Sequence, residues 1–120
     1  MLGQDPAHVF KTLVTVSASG KNYVFVIPVC EELSLKKAAA AAHEKNIEMI
    51  KSRELLPLTG YIHGGCSPIG MKKQFPTFVD ETVELCDTMM ISAGKVGYQV
   101  EIAPETLLQM IPFTKADLTL

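Results

Sequence analysis

Three groups of residues in this chain have the types and spacing to do chemistry. Lys11 sits in an apolar run between Phe10 and Leu13. An ammonium there either snorkels to water or serves a cleft that needs a positive charge, and position alone favours water. The segment Gly64-Gly65-Cys66-Ser67-Pro68-Ile69-Gly70 offers glycines with little cover over their amides. A ligand can approach such a backbone, and its N–H groups can bind an oxyanion or a ribose-phosphate oxygen. The loop lacks both the Lys-Ser/Thr ending of a P-loop and the spacing of a dinucleotide fingerprint. Taken alone it reads as a structural turn. Ser92-Ala93-Gly94 is a second small-residue element at a strand end, and alone it reads as a hairpin turn.

Other constellations fail. His63 and Cys66 could be half of a metal site, but zinc wants four well-placed ligands, and Cys30, Cys86, His8 and His43 are scattered. Cys66 as a nucleophile would need a partner base, and His63 lies three residues away on a non-helical loop. Asp80 and Glu81 are adjacent on an expected strand end and face opposite ways, which suits a solvated edge. The pairs Lys36-Lys37 and Lys72-Lys73 read as solvated faces that could touch phosphates.

The elements that must position these groups follow from pattern. Asp5-Pro6 suggests a capped helical turn. Val9 to Val16 reads as a strand with Phe10, Thr12, Val14 and Val16 on one face and Lys11, Leu13 and Thr15 on the other. Ser19 to Asn22 is turn chemistry, and Tyr23 to Val29 completes a hairpin. Ser34 caps a helix expected to run to about Lys45, with Asn46 as terminator. Ile47 to Ile50 is a strand, and Ser52 starts a helix that exits at Gly60. The glycine- and proline-rich stretch from Tyr61 to Gly70 cannot be regular helix. Strands follow at Thr77 to Val79, Thr88 to Ser92 and Tyr98 to Ile102, the last fed by the loop Gly94 to Gly97. Pro104 opens a final helix through Met110. No regular βαβ rhythm appears, so the fold class is α+β with a mixed β-sheet or barrel flanked by helices.

Composition bounds what the site can be. The 120 residues suit one domain, 1–120. A chain that is 48% hydrophobic and 20% charged is not a disordered one. A formal charge of −2 leaves no field able to coat nucleic acid wholesale. The longest apolar run, Tyr23 to Cys30, contains Pro28 and is far short of the roughly twenty residues of a bilayer span, so no membrane partner is expected. The start Met1-Leu2-Gly3-Gln4-Asp5 lacks the pattern of a secretory leader. Three cysteines without a CxxC spacing read as reduced thiols in a cytoplasmic protein.

Three segments together resemble the YbaK/EbsC family, relatives of the editing domain of bacterial prolyl-tRNA synthetases. They are Val9-Phe10-Lys11-Thr12-Leu13-Val14, the run from Thr59 through Gly64-x-x-x-Pro68 to Lys72, and Ser92-Ala93-Gly94-Lys95. The long middle match is specific, and the likeness extends over nearly the whole chain. It implies a deacylase that hydrolyses the ester of mischarged aminoacyl-tRNA, with cysteinyl-tRNA specific for proline as the leading substrate. It implies Lys11 as the catalytic residue, and Thr12, Gly64, Gly65, Ser67, Pro68, Ser92, Gly94 and Gln99 as the substrate-binding set. No metal or cofactor is implied. The family's usual first helix and strand would precede the Phe-Lys-Thr-Leu element, so a short front end, an exposed sheet edge and an open pocket are expected here.

The implied chemistry is consistent with the residue types. An aminoacyl ester is already activated, so a held terminal adenosine, a stabilised oxyanion and a nucleophile suffice. No general base is evident, which favours water or the thiol of a cysteinyl substrate as nucleophile. A small Gly/Ser/Cys/Pro lining suits a small amino acid. Residues 1–60 carry seven basic and six acidic side chains and residues 61–120 four and seven, so the tRNA acceptor end should be held weakly and in a salt-sensitive way. Lys36, Lys37, Lys72, Lys73 and Lys95 are the expected contacts, with prolyl-tRNA synthetase as a possible further partner and a monomer or weak homodimer as the expected state. The competing readings are a non-hydrolytic tRNA- or synthetase-binding module of the same fold and a cysteine-dependent redox protein.

Overall fold

Every position of the run Tyr23-Val24-Phe25-Val26-Ile27 is apolar, the pattern of a strand covered on both faces. The computed structural model describes residues 8–62 and 65–120 and places this run at the centre of the main sheet. β1 (Phe10–Ser17) and β2 (Asn22–Pro28) form an antiparallel hairpin. With β3 (Ile47–Met49), β4 (Thr77–Asp80) and β7 (Thr114–Ala116) they make a five-stranded sheet in the order β3-β1-β2-β4-β7. β2–β4 and β4–β7 are parallel and the other pairs antiparallel, so the sheet is mixed. β5 (Met89–Ser92) and β6 (Gln99–Ile102) form a separate antiparallel pair. The helices are α1 (Leu35–Ala42), α2 (Ser52–Thr59) and α3 (Pro104–Met110). The class is α+β, and among the described residues the main sheet is open, not a closed barrel.

The two faces of β2 feed two cores. Val24 and Val26 join Phe10, Val14, Val79, Leu55, Met89, Ile91 and Leu107 in the larger cluster. Tyr23, Phe25 and Ile27 face the other way and pack with Ala38, Ala39, Ile47 and Leu118. Alanine at 38 and 39 lets α1 lie close to the sheet. Ser34 starts that helix by accepting the Lys37 N–H on its hydroxyl at 3.2 Å, one of the orphan donors of a helix start.

Several boundaries differ from the sequence reading. α1 stops at Ala42, and its terminator is His43 in the left-handed conformation at φ 58°, not Asn46. The Glu44 N–H turns back to the Ala39 carbonyl, and its carboxylate is held by the Tyr23 hydroxyl at 2.6 Å and by Ser19. Those contacts halt the helix earlier than alanine propensity would. Asp80 is buried, not part of a solvated edge. It accepts the Thr82 N–H and hydroxyl, capping a short 3₁₀ turn at Glu81–Leu85, and it also accepts the Leu118 N–H at 2.9 Å. The 3₁₀ turn and β7 were not expected from pattern. The expected turn at Asp5-Pro6 lies outside the described residues.

Candidate active site

A strand edge makes the cavity. The bonds at both ends of the hairpin, Val29 N–H to Val9 O and Ser17 N–H to Lys21 O, give the odd-numbered residues of β1 to β2. Antiparallel alternation then turns the main-chain groups of even-numbered residues toward the opposite edge. β3 covers that edge at residues 15–17, and the Ile50 N–H reaches the Val14 carbonyl at 3.3 Å. Past Ile50 the chain leaves the ladder, because Lys51 caps α2. At the other end Val9 bridges to Met90 of β5. The stretch between is open, and a cavity of about 800 Å³ lies along it.

Lys11, Thr12, Ser92 and Gln99 line this one cavity, together with Val9, Phe10, Leu13 and Val14. Lys11 is half-buried there, not the solvent-facing lysine that position alone favours. Among the described residues its ammonium has no hydrogen bond or ion pair. Val29, Met49, Ile50, Lys51, Leu55, Cys66, Gly97 and Tyr98 complete the wall; of these only Cys66, part of the expected Gly/Ser/Cys/Pro lining, was singled out from sequence. Lys51, where the chain leaves the ladder, is a second lysine lining the cavity. No Asp, Glu or His lines the cavity among the described residues.

The remaining expected residues stand behind the wall. Gly65, Ser67 and Pro68 are buried. A side chain at Gly65 would meet the main chain of Lys95 and Val96 at 3.1–3.4 Å, so glycine lets the two loops touch. Ser67 accepts the Ile69 N–H at 3.2 Å, and Ser92 accepts the Gly94 N–H at 3.1 Å. Tyr61 ties the loops further. Its hydroxyl donates to the Ile69 carbonyl at 2.5 Å, and its ring abuts Gly94, whose φ of +95° already favours glycine. Gly64 and His63 lie outside the described residues.

Cys66 reaches the cavity from this loop, yet it is 7% exposed. Burial pushes its thiol up to about 11, against a smaller opposing effect of the hydrogen bond with Thr59. Such a thiol stays protonated near neutral pH and is a poor nucleophile. Cys30 is exposed and Cys86 buried, and none of the three cysteines is in a disulfide. Among the described residues no group of His, Cys, Asp or Glu could hold a metal ion.

A family model, the aminoacyl-tRNA editing domain, matches residues 1–110. The chain belongs to that family. This editing domain is 48% identical over 118 residues to EbsC of Enterococcus faecalis, a candidate Cys-tRNA(Pro)/Cys-tRNA(Cys) deacylase, with 98% of this chain and 72% of that one covered. Among solved structures it resembles a candidate trans-editing enzyme for prolyl-tRNA synthetase, with TM-score 0.89 and 25% identity over 99% of this chain and 74% of the other. It also resembles a scaffold from a computational epitope-grafting study, with TM-score 0.91 and 24% identity over 99% and 76%. That second likeness is one of fold. The editing domain thus brings Lys11, Thr12, Ser92 and Gln99 to one cavity, holds its rear loops with Gly65, Ser67 and Gly94, and buries Pro68 behind them.

Proposed function

We propose that this editing domain hydrolyses the ester of mischarged aminoacyl-tRNA, with cysteine on proline tRNA as the leading substrate. The observation that supports it is the composition of the cavity. It presents Lys11 and Lys51 with an apolar floor and, among its described lining residues, no carboxylate or imidazole. Such a site binds electron-rich oxygen rather than shuttling protons. An activated ester needs little more.

In this reading Lys11 stabilises the negative charge that develops on the ester carbonyl oxygen. Water adds to the carbonyl carbon, the bond to the ribose oxygen breaks, and that oxygen leaves with a proton as the free hydroxyl. For a cysteinyl ester the substrate's own thiol can add instead. It expels the ribose oxygen, which takes up the thiol proton, and water then opens the thiolactone. Either route leaves Cys66 of the protein unreacted. The tRNA would enter by its acceptor end, in the cytoplasm, with prolyl-tRNA synthetase as a further partner and residues 1–120 acting as one domain.

Of the lysines expected to grip the acceptor stem, Lys37 is already engaged with Asp117 at 3.0 Å and the Thr119 carbonyl at 2.7 Å. Lys73 lies over the Phe75 ring at 5.9 Å. That leaves Lys36, Lys72 and Lys95 as the contacts in this reading.

The test is wild type against Lys11→Ala on cysteinyl- and alanyl-tRNA charged on proline tRNA. Loss of an oxyanion-stabilising group costs about 10²–10³ in rate, so the variant should fall by at least about a hundredfold with its denaturant midpoint unchanged. Binding without hydrolysis by wild type would point to the non-hydrolytic module. Loss on Cys66→Ser but not on Lys11→Ala would point to thiol chemistry.

A further inference from the structure

Thr12 carries three hydrogen-bonding groups with no partner among the described residues, all at the open stretch of β1. Its hydroxyl oxygen is buried and unsatisfied, the one such side-chain atom among the described residues. Its main-chain N–H and C=O belong to the even-numbered set that faces away from β2. In the register that pairs Thr15 with Met49 and Val16 with Glu48, Thr12 would lie opposite residue 52. That residue already belongs to α2, so β3 supplies nothing there. A buried polar group is ordinarily partnered, and this buried hydroxyl beside two unspent main-chain groups at the cavity points to a ligand.

From this we infer that Thr12 grips the amino-ester unit of the substrate through its main chain, as a strand grips one residue of a neighbour. Its C=O accepts from the α-ammonium, its N–H donates to the ester carbonyl oxygen, and its hydroxyl adds a third contact. The gap selects a ligand of this size. It is closed by the Ile50 N–H on Val14 at one end and by the Val9–Met90 bridge at the other. An added peptide strand needs several successive rungs, whereas a single aminoacyl group needs one. Thr12 would then read the part shared by all amino acids, leaving side-chain choice to other lining residues such as Cys66 and Ser92. This rests on the aminoacyl-ester reading above.

Wild-type protein is given an acceptor-stem RNA carrying an alanyl ester and the same RNA carrying the propionyl ester, which lacks only the α-amino group. Each rate is divided by the spontaneous rate of that ester, because an ammonium speeds ester hydrolysis by itself. The rate enhancement should fall at least tenfold for propionyl, the worth of a charge-assisted hydrogen bond. Amide resonances are followed in parallel with a non-hydrolysable, amide-linked alanyl-adenosine. The Thr12 amide should shift more than the ladder-bonded amide of Leu13. Equal enhancement for both esters, with a silent Thr12 amide, overturns the assignment and leaves the deacylase standing. A shifted Thr12 amide without hydrolysis of either ester keeps the anchor and overturns the deacylase. An extended peptide that shifts the amides from Phe10 to Val14, while the adenosine analogue shifts none, overturns the anchor in favour of strand addition. Thr12→Val keeps the main chain and removes the hydroxyl, so it should raise KM several-fold with a smaller change in kcat. A kcat loss without a KM change would remove the hydroxyl from the binding contact.

Discussion

Thr12 and Thr15 lie three residues apart on β1, and their hydroxyls have opposite fates. Thr15 is fully buried and donates to the Tyr23 carbonyl at 2.9 Å. The Thr12 hydroxyl is buried at the cavity with no partner among the described residues. The same division extends around each of them. On the α1 side, Asp80, Ser34 and Tyr23 all bond within the protein. Along the cavity, the Lys11 ammonium has no partner among the described residues, and every residue of β6 but Ile102 is exposed. Satisfied polar groups build a fold, and unsatisfied ones are tolerated where something else completes them.

The largest test of this contrast is Asp80→Ala. It would leave the buried Leu118 N–H and the Thr82 hydroxyl without their acceptor, and each unsatisfied group costs about 1–3 kcal/mol. Stability should drop by about 3 kcal/mol, read as a lower denaturant midpoint with an unchanged slope. Hydrolysis per folded molecule should stay at the wild-type level, the reverse of Lys11→Ala. If Asp80→Ala cut hydrolysis per folded molecule as deeply as Lys11→Ala, the two sides would not be separable.

The threonine pair gives a smaller effect with opposite signs. Thr15→Val removes a made hydrogen bond and should cost about 1 kcal/mol. Thr12→Val replaces an unsatisfied hydroxyl with a methyl group, so it should be neutral or stabilise by up to about 1 kcal/mol. A loss at position 12 equal to that at 15 would show that the Thr12 hydroxyl is satisfied in the free protein.

Much of the fold was legible because its signals are local. Alternation placed β1, and the all-apolar run placed β2. Gly60 marked the end of α2, where it caps the helix at φ 88°. Of the cavity residues, Lys11 and Ser92 were candidates by type, but only resemblance favoured them over a solvated lysine and a hairpin turn and added Gln99, since a lone lysine in a strand has no spacing signal. Asp80 was misread because its partners, Thr82 and Leu118, include one 38 residues away. The cavity wall at Met49 to Lys51 exists because β3 leaves its ladder, a matter of register that no single segment encodes. Cys66 was legible as a thiol, but not its high pKa, which comes from packing.

The smallest effect concerns the hydrogen bond from Tyr23 to Glu44, at the well-satisfied end of the molecule. The Tyr23 hydroxyl bond holds the Glu44 carboxyl below its ordinary 4.5, against desolvation and with lesser help from Ser19 and Lys21. The same bond is the main reason the Tyr23 hydroxyl is raised above 10.0, with burial and the Glu44 charge adding to it. The signs follow from linkage. The depressed Glu44 contributes stability that is present above about 4.5 and lost as pH falls through its folded value. The raised Tyr23 contributes stability that is present below about 10 and lost as pH rises through its folded value. Tyr23→Phe should therefore flatten both limbs of the stability profile while leaving the neutral plateau slightly lower. The alkaline limb also contains Cys66, whose thiol at about 11 favours the folded state less as pH climbs past 9. The acid limb is the cleaner readout, and an unchanged acid limb in Tyr23→Phe would mean that the bond carries no linkage. Hydrolysis at neutral pH should not move in this variant, because neither Tyr23 nor Glu44 lines the cavity.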